Sequence, residues 1–301
     1  MQFDNLKGVI PAFMTGFTDD LTALDENRIQ KHTRFLADSG VNGLYVGGSS
    51  GEMLLCSTQE RKKLLEMVIG EFRGQGCVIA HVGCTGTADS LELSRHAKQA
   101  GADAVSSVTP LYFAYTFPEV KRYYADIAAA SDLPVIIYNI PARTGMALNA
   151  DQLHELLLIP GVAGMKFTAS GFFQQERLIS EHPGQVFYNG SDEMLLSGLA
   201  ARAHGGIGTT YNVMPDVFLQ IRRLFLENRI AEAQAAQSTA NRVIQALLKV
   251  GVIQGVKEML AMSGLDYGQC RKPFLPLTQE AKQYLYENAW LPLQQWRHSR
   301  G

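Results

Sequence analysis

Short apolar runs rich in β-branched residues recur along the chain at a steady interval. Each is closed by a polar or glycine-bearing turn. The runs are GVIPAFM from Gly8, NGLYVGG from Asn42, CVIAHVG from Cys77, DAVSSVTP from Asp103, LPVIIYN from Leu133, VAGMKF from Val162, VFYNG from Val186 and GGIGTT from Gly205. Between them, stretches such as DENRIQKHTRFLADSG, TQERKKLLEMVIGEF, DSLELSRHAKQAG and FPEVKRYYADIAAAS return apolar residues at helical spacing and end in glycine or serine. Strands apolar on both faces, alternating with helices, predict a parallel sheet covered by helices. Eight such units predict an α/β fold, a (β/α)8 TIM barrel, over residues 1–230. An open doubly wound sheet has the same periodicity, but no G-x-G-x-x-G follows the first strand to support nucleotide binding.

From about Pro215 onward only helix signals remain: PDVFLQIRRLFLENR, IAEAQAAQSTANRVIQALLKVG, IQGVKEMLAMSG and TQEAKQYLYENAWLPLQQW. One of these is expected to be the eighth barrel helix. The rest predict a C-terminal helical extension over residues 231–301, with no low-complexity linker before it.

Composition narrows the partners. An apolar fraction of 46% and a charged fraction of 19% fit a well-filled core, and a net charge of −2 with mixed signs offers no footprint for nucleic acid or an anionic membrane. No apolar run approaches the ~18 residues of a membrane helix. The four cysteines, Cys56, Cys77, Cys84 and Cys270, are unevenly spaced, and no secretory signal is visible in MQFDNLKGVI, so reduced thiols in the cytoplasm are expected. His81 and Cys84 in HVGC come nearest to a metal-ligand pattern, but two ligands at one strand end fall short of a site. The seven histidines are otherwise scattered, and no metal is expected.

In a barrel, catalytic groups sit at the C-terminal ends of the strands. GVAGMKFTAS places Lys166 at the end of an apolar run. Taking an ammonium out of water costs several kcal/mol unless the group is paired or loses its proton. Lys166 is therefore snorkelling, ion-paired or neutral. A free lysine is neutral only about once in 2,500 molecules at pH 7, and apolar surroundings disfavour the charged form of an amine. A neutral amine can condense with a ketone, giving a Schiff base that serves as an electron sink for making or breaking a carbon–carbon bond. Tyr138, at the end of strand five, is the candidate proton shuttle. The GGSSGE turn after strand two, rich in glycine and hydroxyls, is the candidate seat for a carboxylate, which makes a 2-oxo acid the natural substrate fragment.

With these residues in place the chain resembles the pyruvate-dependent class I aldolase and lyase superfamily that contains dihydrodipicolinate synthase and N-acetylneuraminate lyase. The resemblance runs from about Leu6 to the C-terminal helices. GLYVGGSSGE, AHVGC, DAVSSVTPLYF, YNGSDE, GGIGTTYN and CRKPF are similar to the N-acetylneuraminate lyase branch. The resemblance implies retro-aldol cleavage of N-acetylneuraminate to N-acetylmannosamine and pyruvate, with no metal or organic cofactor. It implies Lys166 as the Schiff-base lysine and Tyr138 as the proton shuttle. Ser49 and Ser50 match the hydroxyl pair that holds the pyruvate carboxylate, and Thr168, Gly190, Asp192, Glu193 and Thr209 match sugar-contacting positions. An acidic pair after a strand also commonly caps the next helix.

The chain departs from that pattern in three places. The lyases commonly carry threonine where Ser50 stands and serine where Thr209 stands. Arg143 in PARTG is similar to dihydrodipicolinate synthase, where an arginine meets a carboxylate of the second substrate. The alternatives are therefore a dihydrodipicolinate synthase or a 2-keto-3-deoxy sugar acid aldolase, a non-catalytic binding protein on the same scaffold, or a metal-dependent aldolase. A homotetramer is implied by the resemblance, and the apolar turn TPLYFAYTF is the stretch expected to lie between subunits.

Overall fold

The computed structural model describes residues 3–299. Eight strands form it: β1 Gly8–Pro11, β2 Gly43–Val46, β3 Cys77–His81, β4 Ala104–Val108, β5 Val135–Asn139, β6 Val162–Phe167, β7 Val186–Asn189 and β8 Gly205–Gly208. All pair in parallel, in the order β1-β8-β7-β6-β5-β4-β3-β2. Each begins within two residues of the start of its apolar run; the runs from Leu133 and Val162 end with their strands, and the other six continue past theirs into a loop.

The remaining seam, between β1 and β2, is closed more sparsely. Phe13 N–H donates to the Tyr45 carbonyl at 2.8 Å, where Ala12 and Tyr45 form a single parallel bridge. At the other end the Asn42 side chain accepts from Val9 N–H at 2.8 Å. A Cβ on Gly8 would fall 2.1 Å from that Asn42 oxygen, so the seam needs a glycine there. Eight strands with this closure make a TIM barrel, as the periodicity predicts.

The helices are α1 Glu26–Asp38, α2 Thr58–Phe72, α3 Thr87–Ala100, α4 Phe117–Ser131, α5 Pro141–Thr144, α6 Ala150–Leu157, α7 Phe172–Glu181, α8 Leu195–Ala200, α9 Pro215–Leu226, α10 Ile230–Val250, α11 Val252–Met262, α12 Gln279–Leu285 and α13 Leu291–His298. Their starts follow capping chemistry. Asp25 accepts from Arg28 N–H ahead of α1, and Ser57 and Glu60 form a reciprocal capping box ahead of α2. The eighth barrel helix is α9. The last predicted helix is two helices, joined through a π-helical turn at Tyr286–Trp290, with Pro292 in the first turn of α13.

Ile10, Ile79, Ile136, Val186 and Ile207 fill the barrel interior, and Leu6 closes its lower end, its carbonyl accepting from the Tyr188 hydroxyl at 2.5 Å. Each such aliphatic side chain contributes roughly 1.5–3 kcal/mol on burial, so the interior as a whole outweighs the several kcal/mol needed to enclose one amine. A separate apolar cluster joins α8 and α9 to α10, α11, α12 and α13 through residues such as Phe218, Val243, Leu247 and Leu260. That packing brings α10 and α11 over the C-terminal rim of the barrel. Among the described residues no helix is long and apolar enough to cross a membrane.

Candidate active site

Lys166 and Tyr138 are direct register partners across β5 and β6. The pairing depends on an irregularity in β6: Val135 pairs with Val162 and Ile136 with Gly164, so Ala163 is an extra residue. Without it Met165 would face Tyr138, and Lys166 would turn to the other side of the sheet. Gly164 is required at this point because a Cβ there would lie 1.8 Å from the Val186 carbonyl oxygen.

The Lys166 side chain is 4% exposed, with Nζ 4.0 Å from the centre of the Tyr138 ring and 4.9 Å from that of Tyr45. Among the described residues Nζ has no ion pair and no hydrogen bond. Of the three states open to a lysine at this position, the ion pair is thus not the one adopted. Tyr45 anchors the aromatic floor, its hydroxyl donating to Ser106 Oγ at 3.0 Å, and burial holds it well above the usual tyrosine range as a neutral phenol. His81 stands edge-on to Tyr138 with ring centres 6.3 Å apart. Burial, then the nearby Arg61 and Lys166 cations, hold its imidazole well below the ordinary histidine range. A guanidinium occupies the space between His81 and Cys84: Arg61 donates to the His81 carbonyl at 2.6 Å and to Cys84 Sγ at 3.0 Å. HVGC is thus organised around Arg61.

A cavity of about 300 Å³ opens above Lys166 at the C-terminal rim of the barrel. Lys166, Tyr138, Ser49, Ser50, Thr209, Thr168, Gly190, Asp192, Glu193 and Arg143 all line it, with Lys166, Tyr138, Ser50 and Asp192 buried and Glu193 and Arg143 exposed. Every site residue expected from the sequence therefore borders one space. Ser50 Oγ and Thr209 Oγ1 are hydrogen-bonded to each other at 2.6 Å. The two positions that the resemblance singled out as exchanged hydroxyl residues are thus one contact. Arg143 follows β5 in the short helix α5 and is exposed, with no ion pair among the described residues.

The acidic pair separates into two environments. Glu193 is exposed, whereas Asp192 is 8% exposed and its Oδ2 accepts from Thr210 N–H and Oγ1, each at 2.7 Å. These bonds reach across to the first residue of the 3-10 turn at Thr210–Asn212 and leave α8, the helix that follows Asp192, uncapped. Burial raises its pKa from 3.8 to about 6, opposed by the Thr210 hydrogen bonds and the Lys166 charge. Thr168 Oγ1 is buried without a hydrogen-bond partner among the described residues. A Cβ at Gly190 would lie 1.8 Å from that oxygen and 3.2 Å from Lys166 Cε, so only glycine lets the end of β7 approach the end of β6 this closely.

Sequence reasoning missed two sets of residues. Ile244, Leu248, Val252 and Ile253 complete the cavity wall from α10 and α11, and nothing in an amphipathic helix marks which apolar residues will line a site. The second set supports the GGSSGE turn from behind. Thr15 Oγ1 donates to the Gly51 carbonyl at 2.6 Å, and Glu52, held at φ 58°, forms a buried ion pair with Lys257 of α11 at 2.7 Å. Glu52 also accepts from Arg271 N–H at 2.8 Å. The glutamate in GGSSGE and the arginine in CRKPF were the visible signals, but their separation in sequence concealed the contact.

Comparison with known proteins agrees with this geometry. The chain is 44% identical over 278 residues to N-acetylneuraminate lyase of Escherichia coli K12, covering 92% of this chain and 93% of that one. The solved structure of wild-type Ruminococcus gnavus sialic acid aldolase superposes with a TM-score of 0.94 at 31% identity, covering 98% of this chain and 99% of that chain. The Fusobacterium nucleatum N-acetylneuraminate lyase complexed with pyruvate gives a TM-score of 0.90 at 35% identity, covering 95% and 96%. The dihydrodipicolinate synthetase family model matches residues 5–289. With that match spanning nearly the whole barrel and its C-terminal helices, the chain belongs to the dihydrodipicolinate synthetase family.

Proposed function

We propose that this chain is a class I aldolase that cleaves N-acetylneuraminate to N-acetylmannosamine and pyruvate through a Schiff base on Lys166. The observation that carries the reading is a buried amine without ion pair or hydrogen bond, beside a tyrosine ring, on the floor of a polar cavity. The 44% identity to lyases of that activity supports the choice of substrate.

In this reading the substrate carboxylate sits at the Ser49–Ser50 turn, which brings the adjacent ketone to Lys166 Nζ. The amine adds to the ketone and water leaves, forming an iminium. Tyr138 takes the proton from the hydroxyl on the carbon β to that iminium. The bond between that β-carbon and the α-carbon breaks, its electrons flow into the iminium to give an enamine, and the β-carbon departs as the aldehyde product. Protonation of the resulting enamine and hydrolysis release pyruvate and restore the lysine. No step calls on a metal or organic cofactor. Asp192, Glu193, Thr168 and Gly190 face the part of the cavity left for the polyol, where carboxylates and a spare hydroxyl can bond its hydroxyl groups.

Treatment with pyruvate and borohydride is the test: a reduced adduct on Lys166, together with pyruvate release from N-acetylneuraminate, is expected. An adduct without release would retain the chemistry and discard the substrate. Arg143 on the cavity rim favours the second reading, a partner aldehyde with its own carboxylate, as in dihydrodipicolinate synthase or a 2-keto-3-deoxy sugar acid aldolase. Condensation of pyruvate with aspartate semialdehyde distinguishes it.

The working form is proposed to be a homotetramer. Its support is the loop after β4, where Tyr112 is 91% and Phe113 67% exposed, too much aromatic surface for a free loop. Light scattering on the purified chain tests it. Four free cysteines support a reducing, cytoplasmic setting. Residues from 231 onward are read as an extension of the barrel that supplies one wall of its cavity.

A further inference from the structure

A second polar cluster lies on the face of the barrel opposite the cavity. Helix α6 leads into the N-terminal end of β6, and α7 returns to that same end after leaving β6 at its top. Their C-terminal ends therefore meet beneath the strand that carries Lys166. There the His182 Nε2 and His154 Nδ1 atoms are 3.0 Å apart, and Glu181 Oε2 is 3.6 Å from His154 Nδ1. One potential ligand atom from each of the three residues lies within 4.8 Å of the others. Among the described residues this is the one place where three such groups converge.

We propose that His154, Glu181 and His182 bind a divalent transition-metal ion, of the zinc or nickel type, that ties α6 to α7. Ligand atoms about 2.0–2.1 Å from a tetrahedral zinc are separated by about 3.4 Å, and the separations of 3.0 Å and 3.6 Å bracket that value. Two imidazoles and a carboxylate suit zinc, nickel or copper, whereas magnesium and calcium prefer all-oxygen sets. His182 is 8% exposed and sets its imidazole against that of His154, which fixes one ligand of the cluster in the protein. Without metal, the two rings can share only one proton across their contact. His154 and Glu181 are 43% and 52% exposed, which leaves an entry path and room for a water as fourth ligand. Because the cluster is on the lower face, the ion stabilises the fold and takes no part in the chemistry at Lys166.

Calorimetric titration of Zn²⁺ into the full chain and into His154→Ala tests the proposal. Cysteine sites are common to both proteins, so the difference between the isotherms reports the cluster. The wild type is expected to bind one equivalent that His154→Ala binds at least about tenfold more weakly. Zn²⁺ should also raise the melting temperature of the wild type and leave that of His154→Ala unmoved, while Mg²⁺ moves neither. His154 is half exposed and remote from the cavity, and an unchanged circular dichroism spectrum would show the variant folded. Identical isotherms for the two folded proteins would overturn the site and leave a histidine–histidine hydrogen bond.

Discussion

The carboxylate of Glu52 and the ammonium of Lys257 meet at 2.7 Å with side chains 0% and 2% exposed. They join the turn that carries Ser49 and Ser50 to helix α11, so the proposed carboxylate seat is held in place by the C-terminal helices. Removing one partner leaves the other charge buried, at a cost of ~3–5 kcal/mol. Glu52→Gln and Lys257→Met are each expected to lower the unfolding free energy measured by urea titration by that amount and to raise KM for the 2-oxo acid. The double variant should be more stable than either single one, because no charge is left unpaired. Equal losses in all three would mean the pair contributes only through its packing.

Lys166→Ala is expected to abolish both the borohydride-trapped adduct and turnover. Tyr138→Phe should still form the adduct, because the amine remains, while kcat falls by roughly 10²–10⁴ for want of the proton shuttle. Mass spectrometry of the trapped protein, set against steady-state rates, separates the two roles. Near-normal turnover in Tyr138→Phe would reassign the shuttle.

Ser50 and Thr209 share one hydrogen bond, so their substitutions should couple. Ser50→Thr alone adds a methyl group beside the one on Thr209, and overpacking of this kind costs ~1–3 kcal/mol. Thr209→Ser in the same chain makes room again. A double-mutant cycle on KM and on stability should show a favourable coupling of at least ~0.5 kcal/mol, and additive effects would show the swap to be incidental.

Asp192 gives a pH dependence of known sign. Its folded pKa of about 6 lies above the ordinary 3.8. Between those values the folded chain keeps a proton that the unfolded chain has released. Stability contributed by this group is therefore present below about pH 3.8, is lost as pH rises through about 6, and amounts to ~3 kcal/mol in all. In Asp192→Asn that slope should vanish from the urea midpoint measured between pH 4.5 and 7. If the ionised carboxylate receives the sugar hydroxyls, KM for the sugar acid should rise as pH falls below about 6 in the wild type only.

Much of the site could be read from the sequence because it is built from strand ends. An apolar run closed by glycine, proline or a hydroxyl residue marks a strand and its terminus, and barrel topology carries the termini of β2, β5, β6, β7 and β8 to one rim. That is why Ser49, Tyr138, Lys166, Asp192 and Thr209 border a single cavity although 160 residues separate the first from the last. The family resemblance added their proposed roles.

By itself, then, the sequence determined the strands, most of the helices, the count of βα units and the residues at the strand ends, since these follow from local periodicity and capping. Tertiary structure alone decided what depends on contacts between distant segments. It closed the seam between β1 and β2 through Asn42, and it placed the extra residue Ala163 that turns Lys166 toward Tyr138. It brought α10 and α11 over the cavity, buried Glu52 against Lys257, and set His154 beside His182. Such contacts are chosen by packing and by the satisfaction of buried polar groups, and neither leaves a periodic mark along the chain.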